Sequence, residues 1–268
     1  MSRWIVIVFV AGVMLAGCGS GGSGAPRLDP TPAVLATRYA PTRVVLETEE
    51  AGSKAEIATN EAEDARVTPT IPEFTSPVTM MFCEALQQHG QGGAGSPVAI
   101  VPDGSRVVYK AGTCEPDVDA AGAVAVRNDD GSIGRVVPEY TTLWPGNAEN
   151  IVWTPGKGDL HGVPTVFTAK FFEHNATVDF DQLGQPVLDF SMNADGQQVL
   201  ASLTSRIGAQ TNGLPLVTFI DGKPLRGKDG HIIAPRVLGT ITDSGQTTGL
   251  HSGDAHRIAD GINGGMLR

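Results

Sequence analysis

The sequence predicts the α+β class: a two-layer sandwich with a ferredoxin-like β-β-α-β-β head and a closing helix, behind a mostly β irregular region and a disordered tether. Three observations carry that expectation. Residues 177–180 and 186–192 alternate apolar and polar side chains, which puts Val178 and Phe180, then Leu188, Phe190 and Met192, on single faces. Val199, Leu200, Leu203 and Ile207 recur at helical spacing, so residues 194–207 carry one apolar stripe that needs a sheet to cover it. A second stripe of Ala255, Ile258, Ala259 and Ile262, at i, i+3, i+4 and i+7, predicts a closing helix.

Taken from the N-terminus, residues 1–17 follow the plan of an export signal peptide: Arg3, an unbroken apolar run over 4–10, then Ala11-Gly12-Val13-Met14-Leu15. As a helix, residues 4–17 would span about 21 Å at about 1.5 Å per residue, short of a hydrocarbon core of about 30 Å. The segment reads as one to be removed. Its cleavage context, Leu15-Ala16-Gly17-Cys18, resembles the lipobox of bacterial lipoproteins, in which the cysteine sulfur takes the lipid. The resemblance implies acyl chains of the palmitate type on Cys18 and attachment to the extracytoplasmic face of a membrane, the cell membrane in preference to an outer one. Each buried methylene contributes about 0.8 kcal/mol, so two or three chains on one residue hold durably. The alternative is an ordinary secretory signal with an incidental cysteine.

Residues 18–75 read as a lipidated N-terminus and flexible linker. They open with Gly-Ser-Gly-Gly-Ser-Gly over 19–24, continue rich in Pro, Ala, Thr and Glu, and carry an acidic block over 47–64. Val44-Val45-Leu46 has the pattern of a short strand and residues 55–65 that of a helix, but neither has the apolar surface to stand alone.

Residues 76–169 read as a mostly β region. Candidate strands are 78–82, 98–101, 107–109, 123–126 and 163–168, separated by turns such as Pro102-Asp103-Gly104 and Asp129-Asp130-Gly131, with Trp144 and Trp153 expected to pack. In residues 170–268, Leu183-Gly184-Gln185 marks a hairpin and Asn193 caps the first helix, which Gly208 ends. Residues 216–220 supply a strand, Asp221-Gly222 a turn, and 232–238 an extended piece interrupted by Pro235. Ser252 is the expected cap of the closing helix, and Gly264-Gly265 its stop.

A formal net charge of −10 over 268 residues argues against nucleic acid as a partner and against an electrostatic hold on anionic lipids, since both need clustered Lys and Arg. Removing residues 1–17, whose one charged residue is Arg3, makes the balance more negative still. Beyond Cys18 the chain has two cysteines, Cys83 and Cys114. Outside the cytoplasm they can form one disulfide, contributing roughly 3–4 kcal/mol if unstrained; two buried free thiols are the alternative.

Several motifs of the last hundred residues resemble, in order, the head of the first extracytoplasmic domain of the SecD and SecDF family. They are Gly184-Gln185-Pro186-Val187-Leu188-Asp189-Phe190-Ser191-Met192-Asn193-Ala194-Asp195-Gly196, then Leu216-Val217-Thr218-Phe219-Ile220-Asp221-Gly222-Lys223, then Ala234-Pro235-Arg236-Val237. Gly239-Thr240-Ile241-Thr242 onward to Gly249, and Asp254-Ala255-His256-Arg257-Ile258-Ala259 with Gly264-Gly265-Met266-Leu267, complete the set. The family continues into a membrane bundle that carries its proton-coupling residues, whereas this sequence stops at Arg268, so the motor function is not expected to carry over. Leu225-Arg226-Gly227-Lys228-Asp229-Gly230-His231 is an insertion relative to the family. Its Lys223, Arg226 and Lys228 neighbourhood is the candidate contact to an acidic partner or lipid headgroup, with a solvated loop as the alternative.

No enzyme signature appears. The histidines lack metal-ligand spacing, there is no nucleophile elbow or phosphate loop, and Asp117-Val118-Asp119 and Asp129-Asp130-Gly131 lack the twelfth-position glutamate of a calcium loop. No cofactor or metal is expected. The function expected is that of a non-catalytic, membrane-anchored lipoprotein whose SecD-like head binds exported polypeptide or translocon and envelope proteins. The alternative is a structural envelope lipoprotein with no role in export.

Overall fold

The computed structural model describes residues 69–88, 97–142, 148–208 and 213–268. The signal segment, Cys18, most of the linker with its candidate strand at 44–46 and candidate helix at 55–65, and Trp144 lie outside the described residues.

The elements in chain order are β1 (Met80–Ala85), β2 (Val98–Ile100), β3 (Arg106–Val107), β4 (Val124–Arg127), β5 (Ile133–Val136), β6 (Glu139–Thr141), β7 (Trp153–Pro155), β8 (Lys157–Leu160), β9 (Val163–Val166), β10 (Thr177–Phe180) and β11 (Pro186–Ser191). There follow α1 (Ala194–Gly208), β12 (Leu214–Ile220), β13 (Lys223–Pro224), β14 (Arg236–Val237), β15 (Ser244–Thr248) and α2 (Ser252–Asn263). The class is α+β.

Two sheets organise the core. The larger runs β13-β12-β1-β7, with β14 also paired to β12; the second runs β10-β11-β15. Every residue of β1 and of β12 is buried, so both strands read as apolar runs rather than as alternating patterns. They pair antiparallel with Phe82 opposite Thr218. The boundary drawn from the sequence at 169/170 therefore falls inside a shared sheet and a shared core: the strands of 170–268 divide between two sheets, and β1 supplies the neighbour that β12 needs.

α1 begins where the Asn193 Oδ1 accepts the Gly196 N–H at 2.9 Å, and it buries Val199, Leu200, Leu203 and Ile207. It lies directly on β8, where a Cβ on Gly158 would stand 1.8 Å from the Val199 carbonyl oxygen, so only glycine allows this approach. The start of α2 differs from expectation. Ser252 is its first helical residue, and His251 stands at the cap position with extended backbone and no side-chain capping bond. In its first turn buried Asp254 accepts from the Thr70 hydroxyl and the Ile71 N–H, both at 2.8 Å, fastening the incoming chain to α2.

A smaller core of Ala99, Val101, Val124, Val126 and Val152 lies under the pairs β2–β6 and β3–β4–β5. A disulfide joins Cys83 on β1 to Cys114 in the loop beyond β3, with Cα atoms 6.4 Å apart and both residues fully buried. It ties the loop between β3 and β4 to β1, within the main core. Trp153, at 1 % exposure, packs inside the main core.

Candidate functional site: an apolar cleft between two sheets

Five phenylalanines meet where the two sheets face each other. Phe82 lies 5.1 Å from Phe167 and 6.3 Å from Phe190, centroid to centroid, while Phe172 stacks on Phe190 at 4.7 Å and Phe171 on Phe167 at 5.9 Å. Above Phe82, Phe167 and Phe190 the structure leaves a cleft of about 60 Å³. One wall is Leu216 and Thr218 of β12 with Ile233, Pro235 and Val237 of the segment running into β14; the other is Gly245, Gln246 and Thr247 of β15. Leu200 of α1 closes one end, and Arg236 is the only charged residue in the lining.

The local sequence explains the opening. Gly245 sits opposite Phe190 in the ladder, and a Cβ on it would stand 2.8 Å from that ring. Glycine there lets the ring lie across β15 and leaves the mouth unfilled. β15 is the terminal strand of its sheet. The Met192 N–H donates to the Asp243 oxygen at 3.0 Å, which makes Phe190/Gly245 and Leu188/Thr247 the hydrogen-bonded pairs of the antiparallel ladder. The backbone groups of Ser244, Gln246 and Thr248 consequently point away from β11, and no strand lies beyond them among the described residues.

The cations singled out from the sequence stand elsewhere. Arg226 is engaged within the chain: its guanidinium holds the Glu149 carboxylate through two bonds, at 2.6 and 2.9 Å, and donates to the Gly230 oxygen at 2.7 Å. That pairing holds its pKa above the ordinary arginine range. Lys228 donates to the Gln185 side chain, and Lys223 is exposed on β13. The expected partner-binding cluster thus spends two of its three charges on internal contacts that brace the 225–233 loop.

The acidic turns are likewise occupied by their own backbone. Asp119 Oδ1 accepts from the N–H groups of Ala121 and Ala123, and Asp130 Oδ1 from the N–H and hydroxyl of Ser132, which lower the Asp130 pKa. Among the described residues no three His, Cys, Asp or Glu side chains come together as a metal site, and no helix is long and apolar enough to cross a membrane. Burial pushes the Tyr109 phenol well above its usual pKa; its oxygen accepts the Trp153 N–H at 3.2 Å, and its ring meets Phe219 edge-on. Sequence reasoning missed the cleft because its residues come from separate segments spread between Phe82 and Thr247. Phe82 and Phe190 stand in the strands read from the sequence, Gly245 carries no reading there, and nothing local says that the three meet.

No family model matches the chain. In sequence, it is 30% identical over 115 residues to the protein translocase subunit SecD of Dehalococcoides mccartyi (strain VS), a match covering 43% of this chain and 25% of that protein. An α+β chain carrying a SecD-like module is the class that follows. The chain spans about a quarter of the length of that relative. Among solved structures it is similar to SecDF in its super-membrane-facing form, with a TM-score of 0.31, 13% identity, and coverage of 80% of this chain and 33% of that one. It is also similar to SecDF as a membrane component that enhances protein export, at a TM-score of 0.30 and 15% identity over 69% of this chain and 92% of that one. At those TM-scores the structural likeness carries no argument; the sequence match does.

Proposed function

We propose that this is a non-catalytic lipoprotein of the extracytoplasmic membrane face whose SecD-like module binds exported polypeptide in the cleft between β12–β14 and β15. The single observation behind the proposal is the cleft itself: an apolar opening of about 60 Å³ over buried aromatic rings, beside a strand with one unpaired edge. A chain emerging unfolded offers both things such a place takes, apolar side chains and unpaired backbone groups. The lining, with Arg236 its only charge, suits binding rather than acid–base chemistry. Similarity to a protein named as a translocase subunit supports export as the setting. Acyl chains on Cys18 supply the attachment that holds the module at the membrane.

The test is site-specific photocrosslinking in intact cells. A photoreactive residue replacing Gln246 at the cleft mouth is expected to capture exported precursors, while the same residue at exposed Leu183 does not. Equal, background-level capture at both sites contradicts the proposal. Cys18→Ser is expected to release the chain from the membrane or leave it unprocessed, and a processed form still in the membrane fraction contradicts the lipid anchor.

A further inference from the structure

We infer that the cleft takes its polypeptide as an added β-strand on the outer edge of β15, with apolar side chains entering the cleft at every second residue and basic or neutral side chains between them. The inference rests on the polypeptide-binding reading above and specifies its chemistry.

The edge comes first. Ser244, Gln246 and Thr248 turn their backbone donors and acceptors away from β11, as the ladder register requires. That open stretch is bounded. Beyond Thr248 the Lys228 N–H donates to the Gly249 oxygen at 3.0 Å, and ahead of Ser244 the Ile241 N–H is held by the Thr204 hydroxyl at 2.9 Å. At about 3.3 Å per residue, an occupant pairs over roughly five residues.

The side chains follow from the pleat. Successive residues of an added strand face opposite sides of the sheet, so one set continues the Phe190/Gly245 face over the aromatic floor and the other points to solvent. On the solvent side the neighbour is acidic. The Asp189 carboxylate, opposite Gln246 in the ladder, accepts from the Gln246 side chain at 2.6 Å, in a chain of formal net charge −10. The cleft's one cation, Arg236, stands on the opposite wall. Basic or neutral outward residues therefore complement this edge, and acidic ones do not.

The full chain is titrated with synthetic peptides about seven residues long. One alternates Val and Lys, one alternates Val and Glu, and two Val/Lys forms carry backbone N-methyl groups on every second residue in one register or the other. One methylated register is expected to lose about tenfold or more in affinity, because the bonds to β15 are gone, while the other stays within about twofold. The Val/Glu peptide is expected to bind about tenfold more weakly at low salt, with the gap closing at high salt. Gln246→Pro removes an N–H that β11 does not use and is expected to abolish binding while the melting temperature shows the fold intact. Equal binding by both methylated registers overturns strand addition and leaves the cleft as a polypeptide site. Failure of every peptide to bind overturns the polypeptide reading itself.

Discussion

β12 and β15 face each other across the same cleft and are built on opposite terms. β12 is seven residues, all buried, paired to β1 over residues 216–220 and also to β13 and β14. β15 is Ser-Gly-Gln-Thr-Thr, mostly accessible, and paired to β11 alone. The first is a wall whose position the core dictates; the second is short and polar, which keeps an open edge soluble without closing it. The difference teaches that stability and recognition are divided between the two walls, so substitutions on one side should move melting and on the other should move binding.

The largest expected effect is on the β12 side. Phe219→Ala removes a fully buried ring packed edge-on against Tyr109 and should destabilise by about 3–5 kcal/mol, read from denaturant or thermal unfolding. Next is the brace behind β12's neighbour. Replacing Cys83 and Cys114 together by Ala opens the link between β1 and the loop that joins β3 to β4 and should cost about 2–4 kcal/mol, measured against wild type under non-reducing conditions. Gly245→Ala lies between the two regimes: its Cβ meets the Phe190 ring at 2.8 Å, so the ring must shift, at about 1–3 kcal/mol, and the mouth should narrow enough to weaken peptide binding. Smallest is Gln246→Ala, expected to change stability by no more than about 0.5 kcal/mol. If Gln246→Ala melts the protein as Phe219→Ala does, the division between the walls is wrong.

The parts legible in sequence are those whose cause is local. The Asn193 cap, the Val199-Leu200-Leu203-Ile207 stripe, the 177–191 hairpin and the Asp221-Gly222 turn each state their geometry within a few residues, and the structure has all four. Where a distant group competes, local reading falls short. Asp254 looks like a first-turn helix acid and serves instead as the clasp for residues 70–71. Arg226 looks like an open cation, yet its carboxylate partner Glu149 lies 77 positions away. Residues 153–160, Trp-Thr-Pro-Gly-Lys-Gly-Asp-Leu, are not among the candidate strands because glycine and proline break the pattern; they form β7 and β8, and Gly158 lets α1 rest on β8. The cleft is the extreme case, assembled from β1, the Phe167 segment after β9, β11, α1, β12, the segment running into β14, and β15, each of which has an ordinary core or edge reading by itself.

Residue-resolved amide hydrogen exchange along β15, without and with the Val/Lys peptide, tests the central claim most directly. In the free protein the N–H groups of Gly245 and Thr247, which bond to β11, should be protected, and those of Ser244, Gln246 and Thr248 should exchange freely. The peptide should slow the outward set and leave the inner pair unchanged. Outward amides already protected in the free chain, or unaltered at saturating peptide, would contradict the account of β15 as the open, strand-accepting wall of a polypeptide-binding cleft.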